Sequence, residues 1–268
     1  MINFSKAQKE FKQYLNSYDL NDGMIQLKVR HTYGVVSLSE YIAKDLKLSD
    51  EDIELAKLIA LLHDIARFEQ AKKFGDYRDY KNVDHADLAV KILFEDNLIR
   101  NFVEEDKYDS IILKSIKNHN KLQIEDGLNE KELLHAKIIR DADKTDNFRV
   151  KANDRFEDIF NSSKEKLEND IITEKIYNDF MSNKIIISKE RETDMDCWVS
   201  YIAFIFDYNF SSGLKYIKEK NYINILVDRI DYKIKDTKNK MEEIRKHAIN
   251  YIDNKLNKRY LFKYFLLI

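Results

Sequence analysis

Apolar side chains recur along this chain every three to four residues, the spacing that gathers them on one face of a helix. The first such stretch is predicted over Phe4–Tyr18. Met24–Leu46 carries the next, with Leu27, Val35, Leu38 and Ile42 on its apolar stripe, and His31 falls on that same stripe. Ser49-Asp50-Glu51-Asp52 reads as a helix start, a capping residue followed by acids in the first turn. The helix that follows presents Ile53, Ala56, Ile59 and Leu62 and ends on His63-Asp64. Glu69–Asn82 is polar and aromatic and contains Gly75, so it is expected to be a loop over whatever site lies nearby. Helices are predicted again over Val83–Phe94, with His85 on the face of Leu88, Ala89 and Ile92, and over Asp109–Asn118, with His119 on the face of Ile112 and Ile116. Glu130–Val150 carries Arg140-Asp141-Ala142-Asp143-Lys144.

Beyond Arg155 the helical patterning continues, but histidines nearly vanish. Asp196–Tyr208 reads as a buried apolar helix and Tyr232–Leu256 as a long charged one. The expected organisation is a helical core over residues 1–155 and a helical C-terminal extension over residues 156–268 packed on it. Composition agrees with an all-α chain. It has no proline and five glycines, against typical usage of about 5% and 7%, so the turns of a strand-rich fold would lack their usual residues.

Charge and cysteine content narrow the function classes. Lys and Arg number 46 against 48 Asp and Glu, so no global field draws the protein to nucleic acid or to an anionic membrane. Cys197 is the only cysteine, which excludes an internal disulfide and suits a reducing, cytoplasmic setting. Met1–Glu10 is polar, without the apolar stretch of a signal peptide, and no segment approaches the roughly 20 apolar residues of a membrane span. The apolar tail Tyr260–Ile268 is expected to dock on the body or on a second copy, compatible with a homodimer.

The candidate chemistry is a set of imidazoles and carboxylates on apolar faces. Any one histidine there is more often a satisfied core residue than a ligand. Four of them (His31, His63, His85 and His119), accompanied by Asp64 and an acid in the 141–143 region, point instead to a metal site built from facing helices. Helical phase alone leaves both Asp141 and Asp143 open as the last acid. Such nitrogen and oxygen donors suit Mn, Fe, Co, Ni, Zn or Mg rather than an iron–sulfur cluster. His135 and His247 fall outside the set: His135 is explained by packing, and His247 is expected to be exposed. Cys197 and Trp198 read as core.

The ordered series resembles the HD-domain superfamily of metal-dependent phosphohydrolases. Arg30-His31-Thr32-Tyr33-Gly34-Val35 is similar to its first motif and His63-Asp64 to its defining pair. Asp84-His85-Ala86 and Asn118-His119-Asn120 resemble the added histidines of members with two metals, and Ile138–Lys144 the final aspartate motif. Ala66 stands where many relatives have Gly, and Thr145 where Leu is usual. The resemblance implies an HD-type helical bundle and selects Asp143 as the last ligand. It implies that His31, His63, Asp64 and Asp143 hold one divalent ion, and that Asp64, His85 and His119 hold a second. The implied activity is hydrolysis of a nucleotide or another small phosphorylated metabolite by a hydroxide generated on the metal, with Asp64 bridging. Arg67, one turn beyond the pair, and Lys144, after the last aspartate, are by position candidates to meet the phosphate, although a cation near a helix end often only complements the dipole or an acid. Arg30 and Arg140, and Lys72, Lys73 and Arg78 in the expected loop, are weaker candidates for that role. The same donor order also occurs in di-iron oxygenases, and HD folds without catalysis serve as regulatory modules; both stand as alternatives.

Overall fold

The computed structural model describes residues 2–77, 79, 83–160 and 163–265, with only the backbone described for 160 and 258–265. Its regular elements are helical, with no strand among the described residues, and no helix there is long and apolar enough to cross a membrane. The chain divides into two compact units, Met1–Asp146 and Asn147–Ile268. The main helices of the first are α1 (Phe4–Leu15), α2 (Gly23–Asp45), α3 (Asp50–Leu62), α4 (Ile65–Phe74), α5 (His85–Val90), α6 (Ile99–Phe102), α7 (Asp109–Asn118) and α8 (Glu130–Asn153), the last of which runs on past Asp146.

Helix α3 is the axis of this unit. The Ser49 hydroxyl accepts from the Asp52 amide at 3.2 Å, and Asp50, Glu51 and Asp52 occupy the first turn, where acids complement the helix dipole. Beyond that turn Leu55, Ala56, Leu58, Ile59, Ala60, Leu61 and Leu62 are all buried, the mark of a helix covered on every side. The core continues through Ile65 and Phe68 of α4, with the Phe11 ring of α1 edge-on to Phe68 at 5.8 Å.

Two expectations about boundaries are corrected. Residues 69–74 belong to α4 rather than to a loop, because the helix is anchored from both sides. The Tyr18 hydroxyl donates to Glu69 at 2.6 Å, and buried Gln70 donates to the Val83 carbonyl at 2.6 Å. The helix ends at Gly75, whose φ of 58° lies in the left-handed region that glycine enters without strain. Lys72 and Lys73 are therefore exposed residues of α4, Lys73 paired with Glu69 at 3.3 Å, while Arg78 lies outside the described residues. The helix expected from Val83 begins at His85, since Asp84 caps it: its carboxylate accepts from the amides of Ala86 and Asp87 at 2.9 and 3.1 Å. It then widens to a π turn over Lys91–Glu95.

The second unit comprises α9 (Phe156–Phe160), α10 (Lys164–Glu168), α11 (Glu174–Met181), α12 (Asp194–Ile202), α13 (Ser211–Glu219), α14 (Tyr222–Asp228) and α15 (Lys235–Phe265). Its core gathers Phe180, Trp198, Val199, Ile217, Leu226 and Ile244. A capping box of Thr193 and Asp196 starts α12, which gives way at Ala203 to a 3-10 turn instead of continuing to Tyr208. Trp198 is buried as expected, while Cys197 is only partly so. His247 is not fully exposed: it is half-buried, 6.0 and 6.1 Å from the rings of Phe180 and Phe206, with Asn183 Oδ1 2.9 Å from its Nε2. Of the expected C-terminal docking tail, residues 266–268 lie outside the described residues.

Candidate metal centre

Helix ends build the first half of the site. Helix α3 stops at Leu62 and α4 starts at Ile65, leaving His63 and Asp64 as a two-residue break with both side chains buried. The last carbonyls of a helix lack an amide partner within it. His63 turns back on one of them, its Nδ1 2.7 Å from the Ala60 carbonyl oxygen. The same device recurs after α7, where His119 Nδ1 lies 2.6 Å from the Ile116 carbonyl oxygen. The other two histidines are braced by carboxylates: His31 Nδ1 is 2.7 Å from Asp146 Oδ2, and His85 Nδ1 is 2.6 Å from Asp79 Oδ2.

A carbonyl or carboxylate oxygen only accepts, so each Nδ1 carries a proton, and the Nε2 atoms of His63, His85 and His119 are left to present a lone pair, whereas His31 Nε2 faces a second carboxylate, Asp143. These four Nε2 atoms face Asp64. Its Oδ2 is 3.7 Å from His31 Nε2 and 3.6 Å from His63 Nε2, while its Oδ1 is 3.4 Å from His85 Nε2 and 3.8 Å from His119 Nε2. Donor atoms of His31, His63 and Asp64 lie within 4.8 Å of one another, as do those of Asp64, His85 and His119. Asp143 joins the first group, with Oδ1 3.0 Å from His31 Nε2. Asp141, the other acid that helical phase allowed, is fully buried where Asp143 is only partly so, and its main-chain carbonyl accepts from the Thr145 hydroxyl at 2.7 Å.

These residues fit a cation on two counts. His63 Nε2 is buried and has no hydrogen-bond partner among the described residues, and an orphaned buried polar atom is costly. His85 Nε2 and His119 Nε2 lie only 2.8 Å apart although both Nδ1 atoms hold their protons on acceptors. Two lone pairs at that distance repel unless a cation or an added proton lies between them.

Electrostatics keeps His63, His85 and the two carboxylates in ligand form, while His31 must give up a proton to join them. Burial pushes the His63 pKa down to about 4 and, with Arg67 nearby, that of His85 to about 3, so both are neutral near pH 7. Burial alone would raise the pKa of Asp64, but the Lys28 ammonium and the surrounding imidazoles hold it well below the usual carboxylate range. Asp143 is likewise lowered, its burial outweighed by His31 and His63. His31 lies between two carboxylates; burial and Lys28 oppose its protonated form, yet Asp143 and Asp146 prevail and its pKa is raised.

Several residues of the site were not anticipated from the sequence. Asp146 and Asp79 orient His31 and His85, and Lys28 Nζ lies 2.7 Å from Asp64 Oδ2. Gly34, one turn past His31 on α2, leaves room for Asp146: a Cβ there would sit 2.0 Å from its Oδ1. Asp79, Asp84 and His85 also form a close group, but Arg67 pairs with Asp79 at 2.9 Å and Lys121 with Asp84 at 2.8 Å, so both acids are already neutralised.

The candidate cations part company. Arg67 Nη1 is committed to Gln70 Oε1 (2.8 Å), the Tyr77 carbonyl (2.6 Å) and Asp79, while its Nε faces Asp64 Oδ1 at 3.5 Å without a hydrogen-bond partner among the described residues. Lys144 is buried on α8 beside Asp143. Arg140 is not positioned as a phosphate ligand: it is buried and donates to the carbonyls of Asn118, Lys121 and Leu122, tying down the segment after His119. Arg30 is exposed. His135 is buried with Nε2 3.3 Å from Asp52 Oδ1, a packing role.

Residues 29–147 match the family model for the HD domain. This chain carries an HD domain. The match spans Asp64 and the four histidines and Asp143 gathered around it, and the HD superfamily is one of metal-dependent hydrolases, with regulatory members among them. No curated protein and no solved structure matches the chain significantly.

Replacing Asp79 by Asn in the HD domain is expected to release His85 from its fixed tautomer. Partners of this kind typically contribute about 10–100-fold to metal affinity. Titration calorimetry with Mn²⁺ should show binding at the His85 group lost or weakened by that order; unchanged isotherms would remove Asp79 from the site.

Proposed function

We propose that this HD domain is a phosphohydrolase, a phosphomonoesterase or phosphodiesterase acting on a nucleotide or another small phosphorylated metabolite. The observation that supports this reading is the convergence of four outward-braced imidazoles on one buried carboxylate, Asp64. His31, His63, Asp64 and Asp143 would hold one divalent cation, and Asp64, His85 and His119 a second. Such cations lower the pKa of water and offset charge on phosphoryl oxygens.

The chain's own contribution is positional. Asp64 turns one carboxylate oxygen to each histidine pair and so fixes the spacing of the two groups. The backbone carbonyls of Ala60 and Ile116 and the carboxylates of Asp79 and Asp146 hold the imidazoles in one tautomer, so no reorganisation is needed at the moment of reaction. Arg67 Nε, buried beside Asp64 and without a hydrogen-bond partner among the described residues, would donate to a phosphoryl oxygen. Lys144, the neighbour of Asp143, is assigned the second contact to the phosphate.

The test is phosphate release from a panel of nucleotides and sugar phosphates with Mn²⁺, Co²⁺, Ni²⁺, Mg²⁺, Fe²⁺ or Zn²⁺. Hydrolysis that persists under argon and is abolished in His63→Ala is expected. Failure of every metal–substrate pair sinks the proposal, and substrate-dependent oxygen uptake by the iron-loaded protein would replace it with the oxygenase reading.

A further inference from the structure

Lys28 has no assigned part in the chemistry above, yet it is the ammonium that touches the carboxylate shared by both groups of donors. It lies on α2 one turn before His31, so both side chains leave the same face of that helix. Its Nζ is 2.7 Å from Asp64 Oδ2, and its side chain is only 15% exposed. A lysine there is an awkward neighbour for a metal ligand, because it competes with a cation for the same oxygen. A site built only to bind metal would gain from an apolar residue at this position.

The surroundings explain what the charge can serve. Tyr77 carries two cations against one ring, Lys28 Nζ at 5.2 Å and Arg67 Cζ at 5.6 Å from its centroid. The Tyr77 hydroxyl donates to the Met24 carbonyl at 2.9 Å, which ties the ring to the first turn of α2. Lys28 and Arg67 therefore flank the two oxygens of Asp64, Nζ on Oδ2 and Nε toward Oδ1, on the side that Tyr77 covers. Arg67 Nη1 is spent on Asp79, Gln70 and the Tyr77 carbonyl. The Lys28 ammonium, by contrast, has three donors on a flexible stem, and Asp64 is its close partner.

We propose that Lys28 is a substrate-binding residue that grips a phosphoryl oxygen beside Asp64, with Tyr77 holding Lys28 and Arg67 together as an oxyanion cradle. This deepens the phosphohydrolase reading and rests on it. A dication on Asp64 Oδ2 offsets the charge that holds Lys28 there, and the ammonium turns by bond rotation to the incoming anion. Binding of the anion thus follows loading of the metal, and the two become positively coupled.

Inorganic phosphate is the probe, titrated by calorimetry into Mn²⁺-loaded protein and followed independently by Mn²⁺ broadening of its phosphorus resonance. Wild-type protein is expected to bind it. Lys28→Met should weaken phosphate binding by about tenfold or more, the usual size of a lost charged hydrogen bond, with Mn²⁺ stoichiometry retained and Mn²⁺ affinity equal or tighter. Lys28→Arg should restore most of the phosphate affinity. Lys28→Met protein that binds phosphate as wild type does overturns the inference and leaves the hydrolase reading standing. Lys28→Met protein that loses Mn²⁺ also overturns it, since Lys28 would then act by shaping the donor groups. Loaded wild-type protein that binds no phosphate overturns both.

Discussion

Asp64→Asn is expected to abolish tight metal binding at both groups of donors, with phosphate release falling below detection. Among the described residues Asp64 is the only acid in the group with His85 and His119, so the neutral amide leaves that group without an anionic ligand. In the other group Asp143 remains, but Asp64 Oδ2 no longer stands opposite His31 and His63. Partners one step removed from a metal contribute about 10–100-fold to its affinity, and a direct, shared ligand should exceed that range. Elemental analysis of protein purified without chelator should show the metal content falling toward zero. His119→Ala touches one group alone and should remove one ion and spare the other. Retention of both ions by Asp64→Asn would show that the carboxylate is not shared. Folding gives a second readout. A ligand at about 100 times its Kd adds roughly 2.7 kcal/mol to stability, so Mn²⁺ should raise the Tm of wild-type protein and leave that of Asp64→Asn nearly unchanged.

The second large effect is expected from the smallest substitution, Gly34→Ala. The added Cβ would stand 2.0 Å from Asp146 Oδ1, 2.6 Å from its Cγ and 2.9 Å from its Oδ2. Asp146 cannot yield cheaply, because it is fully buried and holds His31 Nδ1 at 2.7 Å. Either the carboxylate moves and His31 loses its brace, or α2 shifts from α8. Overpacking of this kind costs about 1–3 kcal/mol, and metal affinity should fall with it. Chemical denaturation and Mn²⁺ titration measure the two effects. The double variant provides the decisive comparison. With Asp146→Ala already present, the space is open, and Gly34→Ala should add little further loss, a clear departure from additivity. Equal costs of Gly34→Ala in both backgrounds would mean that the close approach is not what fixes glycine there.

The helical architecture was legible in the sequence because it follows from local rules. Asp109–Asn118 has the bounds its apolar period indicates, and Ser49 caps α3 as its chemistry requires. One boundary moved through distant partners, while the start of α5 was set by the local cap of Asp84. Helix α4 extends to Phe74 because Tyr18 and Val83 hold its Glu69 and Gln70, and no window around Glu69-Gln70 contains that information. The histidines stood out as imidazoles on apolar stripes, a pattern that costs free energy unless something binds them.

What the sequence by itself determined, then, is an all-helical chain with an HD domain and an ordered series of nitrogen and oxygen donors on buried faces, since helical period and burial depend on neighbours three or four residues away. Only the tertiary structure decided which groups brace and charge those donors. Asp146 meets His31 across 115 residues, Lys28 meets Asp64 across 36, and Gly34 is small because another helix fills the space beside it. Contacts of that separation leave no period in the chain; they exist once packing has brought the helices together.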